Sequence, residues 1–193
     1  MKGLLYMKTT KDTIAEALLD LIQEKSFETI TITELSKTAN ISRETFYYHF
    51  DDKIELIAWM YTKQCSEIID ENLHKMKWEK IIYQLIAVAE EYSQFYLNLL
   101  STSDFDYFEN IMINFSKQTF TRGLQKHYQK QNLSKEMEFM INFNAYGQIS
   151  LVRNFLSKKM DYSLSEYATL SIQAMPDLIR EPWLDYTDGP LST

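Results

Sequence analysis

Hydrophobic residues recur along most of the chain at the three-to-four spacing of an amphipathic helix. Ile14, Leu18, Leu21 and Ile22 share one face of a helix over residues 11–25, with Thr9 or Thr10 as its cap. Phe27 and Ile30 follow in a short linker. Thr31-Ile32-Thr33-Glu34 opens a second helix, because Thr31 and Glu34 have the spacing of a capping box. Leu35 and Ala39 lie on its inner face. Asn40 suits the left-handed residue that ends a helix tightly. Ile41 then turns inward, and Ser42 caps a third helix from Arg43 to about Phe50. Two short helices joined by about three residues form a helix-turn-helix. Asp51 is placed to cap a long fourth helix carrying Ile54, Ile57, Ala58, Tyr61, Cys65 and Ile68. A fifth helix is predicted from Trp78 to about Leu100, then a turn-and-cap cluster over Ser101-Thr102-Ser103-Asp104. A helix from Phe105 to about Gln129, interrupted near Asn110 or Asn114, comes next. Ser134 caps a helix to about Ser157, and Ser163 or Ser165 caps a last one ending between Pro176 and Arg180. The prediction is an all-α protein with a three-helix head over residues 1–53, a helical body over 54–181 and a loose tail over 182–193.

Composition agrees with that pattern. Only 4 Gly and 3 Pro occur in 193 residues, and every proline lies at or after Pro176, so the punctuation of a sheet-rich fold is missing. The single cysteine, Cys65, cannot form an internal disulfide; it reads either as a buried filler or as a redox sensor. The 3 His and 1 Cys have no zinc-ligand spacing. Neither a nucleophile–base pair nor a phosphate loop appears, so no cofactor and no enzymatic activity are expected. No segment has the length of an export signal or a membrane span, which points to a cytoplasmic protein with no membrane partner. Translation starts at Met1 or Met7. The net charge of −7 argues against a protein that coats nucleic acid non-specifically.

The third helix carries the most specific chemistry. Phe46 and Phe50 are one turn apart and face inward. At about 100° per residue, Glu44 and Tyr48 point away from them, flanked by Thr45 and Tyr47, with Arg43 and His49 nearer the core boundary. Such a face suits a DNA groove: arginine pairs with guanine edges, threonine touches a thymine methyl, and tyrosine hydroxyls bond phosphate oxygens. Lys53 is placed to neutralise a further phosphate. Glu44 reads equally as a cytosine reader or as a neutral surface residue, and His49 as a phosphate contact or a hydrogen-bonded boundary residue.

Thr31-Ile32-Thr33-Glu34-Leu35, Ala39-Asn40-Ile41-Ser42, Thr45-Phe46-Tyr47-Tyr48-His49-Phe50 and Lys53-Ile54-Glu55-Leu56-Ile57 together resemble the DNA-binding region of TetR-family transcriptional regulators, over about residues 10–57. The resemblance implies helices 1–3 as a DNA head and the remainder as a ligand-binding and dimerisation body. By position it puts base-edge contacts at Arg43, Glu44 and Thr45. It puts phosphate contacts at Thr31, Thr33, Tyr47, Tyr48, His49 and Lys53. Phe143-Asn144-Ala145-Tyr146-Gly147, the run Leu151 to Leu156, and Ser163-Leu164-Ser165-Glu166 resemble the C-terminal domain common in Firmicutes members. With Tyr47 to Lys53 they are similar to the branch containing regulators of dihydroxyacetone kinase operons, although Phe155 stands where that branch usually has Trp.

The implied protein is a homodimer on a double-stranded, pseudo-palindromic operator. It would be a repressor released, or an activator engaged, by a small-molecule effector. Charge keeps a second reading open. Residues 1–53 hold seven Lys/Arg and nine Asp/Glu, a net −2, where a DNA head normally gains affinity by releasing counterions. A TetR-like coactivator working through a protein partner, with weak DNA binding of its own, fits that acidity.

In the body, Trp59, Phe95, Tyr96, Phe108, Met112 and Phe115 read either as core or as the wall of a small-molecule site. Asn144 and Arg153, polar on an apolar helix, either orient a ligand or edge a dimer interface. Met140, Gly147 and Leu151 form one candidate dimer stripe; Tyr167, Leu170, Ala174 and Leu178 form another. Gly147 costs its helix about 1 kcal/mol against Ala, which fits a close helix approach.

Overall fold

The computed structural model describes residues 8–73, 75–99 and 105–184. Among these, ten α-helices and one 3-10 turn, Phe27–Thr29, account for the regular structure. In chain order the helices are α1 (Thr10–Glu24), α2 (Ile32–Thr38), α3 (Arg43–His49), α4 (Lys53–Asn72), α5 (Trp78–Glu91), α6 (Ser93–Leu99), α7 (Phe105–Tyr128), α8 (Lys135–Leu156), α9 (Leu164–Gln173) and α10 (Asp177–Leu184). The expected Ser101–Asp104 cluster, both candidate start methionines and residues 185–193 lie outside the described residues.

Local polar chemistry sets the helix starts. Thr9 with Asp12, Thr31 with Glu34, and Ser163 with Glu166 form reciprocal capping boxes, while Ser42 and Ser134 each accept from the third amide of their helix. Asn40 takes φ 53°, and the Ile41 amide reaches back to the Ser36 carbonyl at 2.9 Å, closing α2 in a Schellman-type end.

Four boundaries differ from the sequence reading. Asp52, not Asp51, caps α4, because Asp52 is the extended residue whose carboxylate meets the Glu55 amide; the Asp51 amide donates to the Glu55 carboxylate. The predicted helix from Trp78 to Leu100 breaks at Tyr92 (φ −98°, ψ 19°), which redirects α6 so that Phe95 meets Phe27 edge-on at 5.8 Å. Helix α7 is not interrupted: the Asn110 amide donates to the Asp106 carbonyl one turn back, and Asn114 faces solvent. The last predicted helix is two, separated at Pro176, and α10 carries buried Pro182 and Trp183 where a loose tail was expected to begin.

Two apolar clusters organise the molecule. The first unites α1–α3, the start of α4 and the body residues Leu99 and Phe108 around fully buried Phe46, Leu35 and Leu18. The second joins α5, α7, α8, α9 and α10 around Ile81, Leu124 and Ile179. Helix α4 belongs to both, through Ile54, Leu56 and Ile57 at its start and Ile69 near its end. The head therefore packs directly on the body.

A polar tie reinforces this seam. Lys63 of α4 bonds the Asp12 carboxylate of α1 and lies 5.2 Å from the Trp59 ring centroid. The Lys63 ammonium, with the Thr9 cap, holds the Asp12 carboxyl down to about 2. A carboxyl lowered by folding contributes stability that is complete above its ordinary value near 4 and is lost as pH falls from about 4 to 2. Lys63 is about a third exposed, so solvent screening limits the pair to on the order of 1 kcal/mol. Acid unfolding of Asp12→Asn, followed by circular dichroism, is expected to lose that component of the pH dependence while matching the wild type below pH about 2.

Candidate nucleic-acid interface and internal cavity

Helix α3 stands on the head with Phe46 and Phe50 inward and its opposite side in water. Arg43, Glu44, Tyr47 and Tyr48 are exposed, Tyr48 at 83 %. Thr31 and Thr33 at the start of α2 are exposed beside them. The Arg43 guanidinium lies 5.9 Å from the Tyr47 ring centroid, and His49, half-buried, meets Tyr48 edge-on at 5.0 Å. Thr45 is also half-buried, and its hydroxyl pairs with Ser42 at 2.9 Å.

Lys53 behaves differently from the expectation of a phosphate-facing lysine. Its ammonium donates to the carbonyls of Phe27 (2.9 Å), Glu28 (3.4 Å) and Ile30, and sits 4.5 Å over the Phe27 ring. It closes the end of the 3-10 turn, so its replacement would perturb the head's fold as well as any phosphate contact. Several head acids are likewise engaged. Lys25 and the Thr31 cap hold the Glu34 carboxylate down to about 2, and Lys8 pairs with Glu16. These pairs are neutral and leave the head's net −2 unchanged; Lys63, from outside the head, offsets one further acid, Asp12.

Inside the body lies a cavity of about 140 Å3. Tyr96, Phe108, Met112, Phe115 and Arg153 line it. Trp59, Phe95 and Asn144 do not. Trp59 is two residues from Tyr61, about 200° around α4, and faces Phe50 at 5.8 Å instead. Phe95 is spent on Phe27, and Asn144 sits one turn before Gln148, whose amide donates to its side-chain oxygen at 3.4 Å.

The sequence reading missed Tyr61, Cys65, Trp78 and Gln148 as wall residues. The i, i+4 spacing of Tyr61 and Cys65 on an amphipathic helix was the available signal. Burial pushes the Cys65 thiol up to about 12 and the Tyr61 hydroxyl well above its ordinary range. Cys65 is therefore a neutral thiol rather than a reactive thiolate.

The dimer stripes are also redrawn. Tyr167 is 3 % exposed, packed on Phe155 at 4.8 Å, and lines the cavity, so it cannot face a second subunit. Met140 and Leu178 are half-buried within the chain, whereas Gly147, Leu151, Leu170 and Ala174 are exposed. A Cβ built on Gly147 meets nothing within 4 Å. The apolar side chains that α8 leaves most exposed are Phe139 (71 %), Phe143 (71 %) and Tyr146 (55 %), at i, i+4 and i+7. Phe139 and Phe143 stack with centroids 6.5 Å apart. Among the described residues, no His, Cys, Asp and Glu gather into a metal-sized group, and no helix is long and apolar enough to cross a membrane.

Comparison with known proteins fits this architecture. The profile described as bacterial regulatory proteins, tetR family, matches residues 14–59, and one described as a transcriptional regulator C-terminal region matches residues 76–177. The chain is similar to the HTH-type dhaKLM operon transcriptional activator DhaS of Lactococcus lactis, 27 % identical over 150 residues covering 75 % of this chain and 78 % of that protein. It is also similar to the biofilm operon icaADBC HTH-type negative transcriptional regulator IcaR of Staphylococcus aureus, 26 % identical over 141 residues covering 66 % and 74 %. Among solved structures, a dihydroxyacetone kinase operon activator DhaS matches with a TM-score of 0.65 at 22 % identity, covering 89 % of this chain and 97 % of that one. A TetR transcriptional regulator from Rhodococcus sp. RHA1 matches at 0.55 and 11 % identity, over 86 % and 98 %. These two likenesses establish the shared all-helical fold.

Proposed function

The chain belongs to the TetR family of transcriptional regulators, and from that premise we propose that it works as a homodimer on a pseudo-palindromic operator, controlled by a small molecule held in the body cavity. The observation that carries the proposal is the outer face of α3, where Tyr48, Tyr47, Arg43 and Glu44 stand in water on a helix pinned by buried Phe46 and Phe50. Arg43 and Thr45 meet base edges, with Glu44 accepting from a cytosine amino group. Tyr47, Tyr48, His49 and the α2 start at Thr31 and Thr33 meet phosphates. Lys53 supports that surface by holding the 3-10 turn and adds its charge to the field at the phosphates.

Exposed Phe139, Phe143 and Tyr146 on α8, continued by Gly147 and Leu151, supply the dimer face; exposed Leu170 on α9 and Ala174 just after it are what remains of the second candidate stripe. A two-fold pair would present its two reading helices about one DNA turn, roughly 34 Å, apart. Helix α4 couples the sites. Its first turn is part of the head core, while Tyr61 and Cys65, eight and twelve residues on from Lys53, form cavity wall. An effector that prefers one placement of α4 shifts the head spacing by its differential affinity for the two states. The two relatives show that related chains serve an activator and a negative regulator.

The test is a fluorescence-anisotropy titration against DNA fragments from the region upstream of the protein's own gene, at several salt concentrations. Saturable binding to one fragment, weakening with salt, is expected. Arg43→Ala and Tyr48→Ala should each weaken it about ten-fold, and Arg43→Ala should also relax preference at one base position. The absence of specific binding at low salt would favour the coactivator reading, which the acidic head supports, and would direct the search to a protein partner.

A further inference from the structure

The body cavity is specific about the kind of molecule it can hold. Its volume of about 140 Å3 is close to the roughly 150 Å3 of an engineered apolar cavity that takes up benzene. A single six-membered ring fits a space of that volume. The walls are arranged for a ring. Tyr96 and Phe108 stack with centroids 6.0 Å apart and planes at 14°, and Tyr61 meets Phe108 and Phe115 edge-on at 5.7 and 5.8 Å. A guest ring among them adds further edge and face contacts of the same kind.

Charge narrows the choice. Among the described wall residues, Arg153 alone carries a formal charge, and its guanidinium is paired with the Glu109 carboxylate at 3.4 Å. An anion would have to displace Glu109. A cation would leave water to face no carboxylate among the described wall residues. Burial of either charge without a partner is costly. Polar atoms on the wall are placed for recognition: half-buried Tyr61 sets a hydroxyl-bearing ring between Phe108 and Phe115, and the Tyr167 hydroxyl and Trp78 indole N–H are buried with no hydrogen-bond partner among the described residues. An oxygen on the ligand gives such a donor the partner it lacks, with a net gain.

We propose that the cavity takes an uncharged, single-ring aromatic molecule bearing one hydroxyl or carbonyl oxygen, held among Tyr61, Tyr96, Phe108 and Phe115 and hydrogen-bonded at Tyr61. This rests on the regulator reading, in which the cavity is the effector site.

Isothermal titration calorimetry on the full chain, with phenol, toluene, benzoate, benzyltrimethylammonium and decanol as probes, tests it. Phenol is expected to bind saturably, one per protomer, with toluene about five-fold weaker for want of the hydrogen bond. Benzoate and benzyltrimethylammonium should be at least about ten-fold weaker than phenol. Tyr61→Phe should bring phenol and toluene within about two-fold of each other while leaving toluene unchanged. Ala89→Phe, which fills the cavity, should abolish both, with its fold checked by circular dichroism; Tyr61→Phe carries the test alone if that variant does not fold. Binding of either charged probe as tight as phenol, tighter binding of decanol, or an unchanged phenol preference in Tyr61→Phe overturns the proposal. So does the absence of ring binding at millimolar concentration. The same preparations are titrated with upstream DNA. Ring binding without DNA binding overturns the regulator reading and leaves the ligand class standing; DNA binding without ring binding does the reverse.

Discussion

Changing Phe139 and Phe143 together to glutamate is expected to turn the proposed homodimer into monomers and to weaken binding to a two-half-site DNA by at least about a hundred-fold. The two rings are each 71 % exposed and stacked on one another, and Tyr146 extends the same face by another turn. An exposed aromatic patch of this kind marks an interaction surface. Helix α8 is already anchored inward by Met137, Ile141, Ala145 and Ile149, so the outer rings are not needed to hold it in place. Across a two-fold axis the carboxylates introduced on the two copies of this face are brought together, and repulsion adds to the lost apolar burial. Each head retains its own contacts, but the second head then binds without the effective concentration that linkage provides. Sedimentation velocity reads the monomer directly, and anisotropy on one-half-site and two-half-site DNA reads the consequence. A variant that remains dimeric would move the subunit interface away from this face.

Gly123→Leu is expected to destabilise the body by about 2–4 kcal/mol. A Cβ at Gly123 would run into the Trp183 indole, approaching its Cη2 to 2.6 Å. Trp183 is 3 % exposed, stacked on Trp78 at 4.3 Å and edge-on to Phe120 at 5.5 Å. It has no slack in which to retreat. Leucine gains about 0.8 kcal/mol in helix propensity over glycine. Displacing a buried tryptophan forfeits most of the roughly 3–5 kcal/mol typical of its removal, and that loss outweighs the gain in propensity. Urea unfolding followed at 222 nm measures the loss. Trp183→Ala should cost a similar amount, and the double variant should cost little more than Trp183→Ala alone, because the collision disappears with the indole. A Gly123→Leu protein as stable as the wild type would mean that α10 repacks without cost.

The head was legible from sequence because its signals are local. Thr31 with Glu34, Asn40 and Ser42 specify helix ends within four residues, and Phe46 with Phe50 declares an inner face within one turn. The body was legible only as a succession of helices. Helix α8 is apolar on two sides, and periodicity cannot say which side meets the core; the structure turns Met140 partly inward and leaves Phe139 and Phe143 out. The cavity depended on where α6 points after the break at Tyr92, which decided that Tyr96 would face it and Phe95 would not. Lys53 shows the same limit on a smaller scale. A basic residue after a reading helix is visible in the sequence, whereas its engagement with three carbonyls appears only in three dimensions.

The 3 tryptophans of the chain fall on opposite sides of its internal division. Trp59 lies in the head seam beneath Lys11 and Lys63, while Trp78 and Trp183 form one stacked pair at the far end of the body. Two indoles at 4.3 Å couple their electronic transitions, so the pair should produce a split circular-dichroism band that a lone indole cannot. Trp59 emission follows the head on a separate channel once Trp78 and Trp183 are replaced by phenylalanine. The split band of the unaltered chain then reports melting of the body, and the emission of the two-phenylalanine variant reports melting of the head, neither needing an added label.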